Sequence, residues 1–483
     1  MENVVVIDAG TSSIKAVLID RSGAVAASSA VDLAAALSPE PGWSEQDPEI
    51  WWRAAIVAAR GLAFEAAPVA FALTGAMQNV ILLDRQGAAV RPAILYNDAR
   101  VGERDIGRLA PLLPDDFERI IGNRAMPALC LYRLAWLLKH EPAAMARCAA
   151  LLFGSKDFLI QKMTGRAIVD PTTASTTGMM ALAERRWAPA IVAALGLSHT
   201  LLPDILAADA PAGPLTESAA AALGLPAGIP VFVGSGDVGA TAWGACSEAH
   251  DRPHAYLGTT GWISATMPLA QAAPPREAYC LAAPVGPDVI VVSPFLAAGL
   301  AIDWFADIAG QSVAALYAEA EQRDATPPQT LFLPYLIGER APFADRAVRG
   351  AFLGLDSKDD APALAYAVLE GLAHAIRDNL DALPIAPKTI ALAGGVAGSL
   401  TVARLIADVT GCDVIAPGDS RIVTAYGAWR LIAPRLGFGA SAAVVAGARI
   451  APRPERIERA RRRFAAYREA AANSRALAIS LAD

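Results

Sequence analysis

The chain has 483 residues, more than one ordinary domain holds, so two domains are expected. Its 41 Lys and Arg against 48 Asp and Glu leave a net charge of −7, which argues against nucleic acid as a main partner because phosphate contacts need clustered basic residues. The longest apolar run, residues 289–302, carries Pro294 and Gly299 and is too short to span a bilayer, and no basic leader precedes the first strand. Cys130, Cys148, Cys246, Cys280 and Cys412 are odd in number and lack C-x-x-C spacing. They read as reduced, mostly core residues of a cytoplasmic protein. The histidines form no H-E-x-x-H pair, so a zinc site is not expected.

In chain order, "VVVIDAGTSSIKAVLID" (4–20) reads as a hairpin whose first strand runs into Asp8 and turns on Gly10, Thr11, Ser12 and Ser13. Residues 24–28 return as a third strand. "SEQDPEIWWRAAIVAAR" (44–60) predicts a helix with Asp47 at the N-cap and Pro48 at the first position. "VAFALTG" (69–75) and "VILLD" (80–84) read as buried strands, and residues 129–140 and 157–164 as helices. "GIPVFVGSGDVGATAWGACSE" (228–248) is a strand, a glycine turn and a short helix. A polar stretch over 247–253 marks a domain boundary. Beyond it, "AYLGTTGWISATM" (255–267) repeats the opening device of strand, Gly-Thr-hydroxyl turn and strand. Residues 388–410 form a strand, a double-glycine turn and a helix. The tail from Pro452 is helical, with Ile457, Phe464 and Tyr467 on one stripe and Arg459 and Arg461–Arg463 as a solvated face. Two halves opening on the same hairpin suggest paired α/β domains facing one another across a cleft.

Two hydroxyl-rich glycine hairpins suit a nucleotide triphosphate: glycine admits the backbone to phosphate oxygens, and Thr and Ser add donors without bulk. Asp8 can hold Mg²⁺ through water, and Lys15 supplies positive charge nearby. Gly258, Thr259 and Thr260 repeat the turn. Taken alone, the first hairpin reads equally well as an ordinary surface turn; its echo favours the nucleotide. "GSGDVG" (234–239) matches the dinucleotide fingerprint, but no acidic residue ends the next strand and Asp237 would repel a pyrophosphate. Asp237 fits better as a general base accepting a hydroxyl proton as that oxygen attacks phosphorus. No Gly-Lys pair and no His-Arg-Asp loop occur, which removes P-loop and protein-kinase readings. Gly394 and Gly395 open a helix where an adenine could lie against the backbone, or form a plain tight turn.

The series "IDAGTSSIKAVLID", "GWSEQDPEIWW", "PAILYNDAR", "GSGDVGATAWGA", "YLGTTG", "LFLPYLIGERAP" with "RGAFLGL", and "LAGGVAGS" resembles the ordered motifs of the FGGY carbohydrate kinases, the xylulokinases among them most closely. The resemblance spans residues 4–430. It implies two ribonuclease-H-like (actin/hexokinase-type ATPase) α/β domains around a central cleft. The expected limits are 1–247 for the N-terminal domain with the sugar site and catalytic aspartate, 248–440 for the nucleotide domain, and 441–483 for a helical tail. It further implies Asp237 as catalytic base and Asp8 as metal-associated carboxylate, both toward Mg²⁺. Thr11, Gly258, Thr259, Gly299, Asp303, Gly395 and Ser399 would contact ATP, and Met77, Gln78, Asn97 and Asp98 the sugar.

The implied reaction converts D-xylulose and ATP to D-xylulose 5-phosphate and ADP. The partner is a small sugar, with neither nucleic acid nor membrane, and a homodimer is left open. Xylulokinases carry His where this chain has Gln78, Gly where it has Asn79, and Asn or Gln where it has Val238. All three departures lie on the sugar side, so ribulose, glycerol, erythritol or gluconate stand as alternative substrates. A nucleotide-driven binding protein of the actin or Hsp70 kind would share the fold.

Overall fold

The structure is a computed structural model of the chain and describes residues 2–245, 250, 252–272, 277–439 and 447–481. Cys246 and the expected boundaries at 247/248 and 440/441 lie outside the described residues. Contacts divide the chain into two units: Met1–Gly244 with Cys280–Val289 and Thr424–Val444, and Ala245–Tyr279 with Ile290–Val423 and Val445–Asp483.

The first unit is built on a sheet whose strands are β1 (Asn3–Ala9), β2 (Ser13–Asp20), β3 (Val25–Asp32), β4 (Ala70–Gly75), β5 (Pro211–Pro214) and β6 (Pro230–Phe232), in the order β5-β6-β4-β1-β2-β3. A short strand β7 (Ser235–Gly236) adds to β4. The β1–β2–β3 meander is antiparallel, whereas β4 runs parallel to β1 and β6 parallel to β4. Parallel central strands are covered on both faces, which is why β1 and β4 read as continuous apolar runs rather than alternating ones. Val4, Val5, Val6 and Ile7 are fully buried.

Helix α1 (Glu49–Arg60) turns Trp51, Ala54, Ala55, Ala58 and Ala59 inward. It starts one residue later than the sequence suggests. Pro48 already has helical angles and stands at the N-cap, while Asp47 Oδ1 accepts from the Glu49 N–H at 3.0 Å. Helices α2 (Cys130–His140), α3 (Ser155–Thr164), α4 (Pro171–Ser175) and α5 (Asp237–Gly244) complete the part of the unit that carries the site.

The second unit repeats this order with its own strands β8 (His254–Leu257), β9 (Gly261–Met267), β10 (Val289–Phe295), β11 (Thr389–Ala393), β12 (Asp413–Ala416) and β13 (Ala448–Ile450), arranged β10-β9-β8-β11-β12-β13. Here too the hairpin β8–β9 is antiparallel, β11 runs parallel to β8, β12 parallel to β11, and the outer β13 antiparallel. The hairpin echo in the sequence is thus an echo of sheet topology. Each unit has the architecture of one half of the two-domain actin/hexokinase-type ATPase fold.

Helices α6 (Gly299–Ala309), α7 (Ala361–Asp381), α8 (Leu400–Thr410) and α9 (Pro454–Leu481) belong to this unit. On α9, Phe464 and Tyr467 pack with Leu333, Tyr335 and Val348. The expected solvated arginine face needs correction. Arg461 and Arg462 are exposed, but Arg463 is buried and, with Arg459, engages the buried Glu370 of α7. The partner lies 93 residues away, so helical spacing alone could not reveal it. No described helix is long and apolar enough to cross a membrane.

Candidate active site

Asp8 is the penultimate residue of β1. Its ladder partners are Lys15 on β2 and Thr74 on β4. Ser235 on β7 also pairs with Thr74, so Asp8 and Ser235 stand two strand spacings apart, about 10 Å. Asp237 follows two residues later and opens α5. Gly236 makes this approach possible, since a Cβ there would come within 2.1 Å of Met77 Sδ and 2.8 Å of Thr173 Oγ1. The glycines of "GSGDVG" therefore serve close packing of strand ends, and the eight-residue helix behind them carries the aspartate rather than a pyrophosphate.

Both carboxyls are raised, as are those of Glu339 and Asp157 elsewhere; what sets Asp8 and Asp237 apart is that the charge of Asp8 itself acts on Asp237 at neighbouring strand ends. Burial, then the charge of Asp8, pushes the Asp237 carboxyl up to about 7, against a hydrogen bond from the Val238 N–H at 2.9 Å. Burial raises Asp8 as well, while Lys15 across the ladder pulls it back. Two carboxylates disfavoured as anions form a site that a cation would relieve. Among the described residues no group of three or more His, Cys, Asp or Glu could hold a metal ion. Two carboxylate oxygen donors suit a hard cation that keeps part of its hydration shell and takes phosphate oxygens for the rest.

Gln78, after β4, has φ +60°, an uncommon angle for a non-glycine residue and a mark of a constrained position. Its Nε2 is buried and makes no hydrogen bond to the described residues. Its carbonyl accepts from Arg133 Nη1, and Arg133 Nη2 donates to the carbonyls of Tyr96 (3.1 Å) and Ala128 (3.0 Å). The fully buried Asn79 accepts from the Tyr96 N–H at 3.2 Å. Asn97 is exposed beside this loop. Asp98 is not: it accepts from the Ser44 N–H at 2.6 Å and from Arg100 Nε at 2.8 Å, which commits its carboxylate to holding the loop.

Several residues of this framework escaped the sequence reading. Glu45 pairs with Arg91 and Arg100, and Gln46 Nε2 donates to Thr11 O at 3.2 Å while Oε1 accepts from Trp51 Nε1 at 2.7 Å. Arg100 lies over the rings of Trp43 and Trp136, at 3.9 and 4.8 Å from their centroids. Lys156, Asp157 and Asp170 are fully buried charges. Burial drives Asp157 up to about 6, whereas at Asp170 the Lys156 ammonium and hydrogen bonds outweigh burial and hold the carboxyl below its ordinary range. The signal was present: Lys156 and Asp157 interrupt the apolar run "LLFGSKDFLI" where charge has no place unless paired.

In the second unit the Gly258–Thr260 turn is closed by Gly258 N–H to Thr260 O at 3.0 Å. The start of α6 docks on it: Gly299 N–H reaches Gly258 O at 2.7 Å, and a Cβ on Gly299 would stand 2.8 Å from the same oxygen. Gly394 follows β11 and Gly395 begins a single 3₁₀ turn; Gly395 faces open space, and the Ser399 hydroxyl caps α8 through the Val402 N–H. Thr259, Thr260 and Asp303 are exposed. Of the residues expected at the nucleotide, Gly258, Thr259, Gly299 and Gly394 meet around the ends of β8 and β11. Asp303 stands one turn along α6 and Ser399 at the head of α8.

Two topologically equivalent units, the first with Asp8 and Asp237 at its strand ends and the second with the glycine-lined turns after β8 and β11, have the fold and the groups of a sugar-kinase-type ATPase. Models of the FGGY family of carbohydrate kinases match residues 3–244 (N-terminal domain) and 254–433 (C-terminal domain). The chain belongs to the FGGY family of carbohydrate kinases and is an enzyme that transfers phosphate from ATP to a sugar. It is 34% identical to the xylulose kinase of Escherichia coli (strain K12) over 88% of each chain, and 31% identical to the erythritol kinase of Brucella abortus (strain 2308) over 81% of this chain and 80% of that one. A crystal structure of a "xyloylose kinase" from Brucella ovis superposes with a TM-score of 0.87 at 29% identity, covering 99% of this chain and 100% of the other.

Proposed function

We propose that the acceptor is a ketopentose, with D-xylulose the first candidate, phosphorylated at its terminal hydroxyl with Mg²⁺ as the metal. The observation that carries the mechanism is the Asp237 carboxyl, raised to about 7 beside Asp8 at the strand ends. A base with that proton affinity accepts the hydroxyl proton as the oxygen attacks, near its optimum at neutral pH. Asp8 and Asp237 would hold Mg²⁺, which supplies charge neutralisation to the transferring phosphoryl group. Gly10–Ser13 and Lys15, with Gly258–Thr260, Gly299, Asp303, Gly394, Gly395 and Ser399, are the proposed nucleotide contacts. Met77, Gln78 and Asn97 are proposed for the sugar, with Asp98 behind them.

A coupled ADP assay over pentuloses, hexuloses and polyols tests the substrate. D-Xylulose should give the highest kcat/KM, and a higher value for ribulose or erythritol overturns the assignment. A reducing cytoplasmic setting is part of this proposal, and burial, which pushes the thiols of Cys130 and Cys148 up to about 11, keeps those two unreactive there. A homodimer is the assembly to check by light scattering.

Two departures favour a second reading in which another ketose or a polyol is preferred. Gln78 offers an unsatisfied amide donor, and Val238 offers none. A sugar hydroxyl facing valine loses a partner, worth roughly 1–3 kcal/mol or about ten- to a hundredfold in kcat/KM. Gln78→His combined with Val238→Asn should raise xylulose use relative to polyols by that order. Unchanged relative kcat/KM values would show that neither position reads the sugar.

Asp8→Ala should raise the Mg²⁺ concentration for half-maximal rate by at least the roughly tenfold typical of lost outer-shell partners, with sugar KM little altered. Excess Mg²⁺ should restore activity only in part. An unaltered Mg²⁺ dependence removes the role.

A further inference from the structure

The first turn of α3 touches the strand ends that carry Asp8 and lead into Gln78, and reaches the Asp237 strand through Asp170. Ser155 Oγ donates to Ala9 O at 2.5 Å and Ala76 O at 3.3 Å, and the Ser155 N–H reaches Ala76 O at 3.0 Å. Ala9 follows Asp8, and Ala76 precedes Met77 and Gln78. The next residue, Lys156, places Nζ 2.6 Å from Asp157 Oδ1 and 2.9 Å from Asp170 Oδ1, with all three side chains at 0% exposure. Asp170 accepts from the Thr172 and Thr173 N–H groups at 3.1 and 3.4 Å, and from Ser235 Oγ at 3.0 Å. Ser235 stands two residues before Asp237.

Burying one ammonium with two carboxylates is expensive, and well-packed apolar side chains would often hold the same elements together as firmly. What apolar packing cannot supply is direction. Asp170 Oδ1 faces the Lys156 ammonium, while Oδ2 takes the hydrogen bonds, and one of their donors is the hydroxyl on the strand that leads into Asp237. We infer that Lys156, Asp170 and Ser235 form a positioning relay that fixes the Asp237 carboxylate relative to Asp8 for phosphoryl transfer. None of the three touches the reacting atoms. Lys156 anchors Asp170, Asp170 anchors Ser235, and Ser235 sets the strand. The inference rests on Asp237 being the base.

Ser235→Ala removes one oxygen without enlarging the side chain, so it isolates the link. Misplacement of a reacting group by about 1 Å costs up to about a hundredfold, so kcat should fall about ten- to a hundredfold while the KM values for sugar and ATP stay within about twofold. Asp170→Asn should lower kcat similarly, and the double variant should fall no further than the worse single one, because both break the same chain of contacts. A Ser235→Ala enzyme with wild-type kcat overturns the relay, as does a loss confined to KM or losses that multiply in the double variant. If Asp170→Asn does not fold, the split between kcat and KM in Ser235→Ala decides alone. Asp237→Asn is assayed alongside. Retained turnover there means that the base assignment has failed. Lost turnover there with intact Ser235→Ala means that the relay alone has failed.

Discussion

Asp237→Asn is expected to lower kcat by ~10²–10⁴-fold, the usual loss for a missing general base, with ADP binding close to that of the unaltered enzyme. The amide keeps the shape and the hydrogen bond from the Val238 N–H but cannot take a proton. The wild-type pH profile carries the same signature. With the metal-free Asp237 carboxyl pushed up to about 7 by burial and by Asp8, log kcat/KM for Mg²⁺-ATP, which reports the enzyme before the metal arrives, should fall with unit slope as pH drops through that value rather than through the ordinary carboxylate range. Stability should move the other way. The folded state holds this proton more tightly than the unfolded chain, whose carboxyl titrates near 3.8, so stability is lost as pH rises between the two values and stays lost above about 7. Asp237→Asn should therefore stabilise the protein more at pH 8 than at pH 5, which thermal melts at the two pH values would read. A variant with full turnover, or a melt no higher at pH 8, contradicts the assignment.

That trade explains which parts of the site could be read from the chain. Asp8, Lys15 and Asp237 could be proposed from the chain because each breaks a local rule: a charge at the end of a buried strand, a lysine within an apolar run, an aspartate among glycines. The repeated hairpin was legible because sheet topology of this kind leaves its turn residues in the sequence. Asp98, Arg133 and Lys156 act through partners outside their own elements: Asp98 to Ser44 and Arg133 to Gln78 across 54 and 55 residues, and Lys156 to Asp170 across a helix and a short strand. Spacing within one element carries no information about such partners. Gln78 was noticed for its chemistry, while its left-handed backbone and orphan amide emerged only from the fold. The one-residue shift at Asp47 has a smaller cause: Pro48 satisfies the helical φ outside the hydrogen-bonded helix as well as inside it.

Arg463→Ala is expected to destabilise the second unit by about 3–5 kcal/mol, the range found when one partner of a buried ion pair is removed. Glu370 is 2% exposed and receives Arg463 Nε at 3.0 and 2.9 Å on its two oxygens, as well as Arg463 Nη2. The same guanidinium donates to the carbonyls of Gln329 and Thr330, both at 2.8 Å, so the residue ties α9 to α7 and to the segment entering the strand Leu331–Leu333. Burial alone would raise the Glu370 carboxyl, but the neighbouring cations hold it below its ordinary value. Its stabilising contribution is therefore present above about pH 4.5 and is lost as pH falls through the lowered folded-state value. Arg459 donates to Glu370 Oε1 at 2.8 Å and cannot fill the second oxygen's place, so truncation leaves a buried carboxylate half paired. Arg461→Ala, two residues away on the exposed face, should shift stability by no more than about 0.5 kcal/mol. Urea midpoints of the two variants give the comparison directly. Replacing the pair together, Arg463→Met with Glu370→Leu, should recover most of the loss, because an apolar pair leaves no buried carboxylate unpaired and frees only the partly exposed Arg459 from its partner. A double variant as unstable as Arg463→Ala would mean that the arginine acts through its backbone contacts rather than through Glu370.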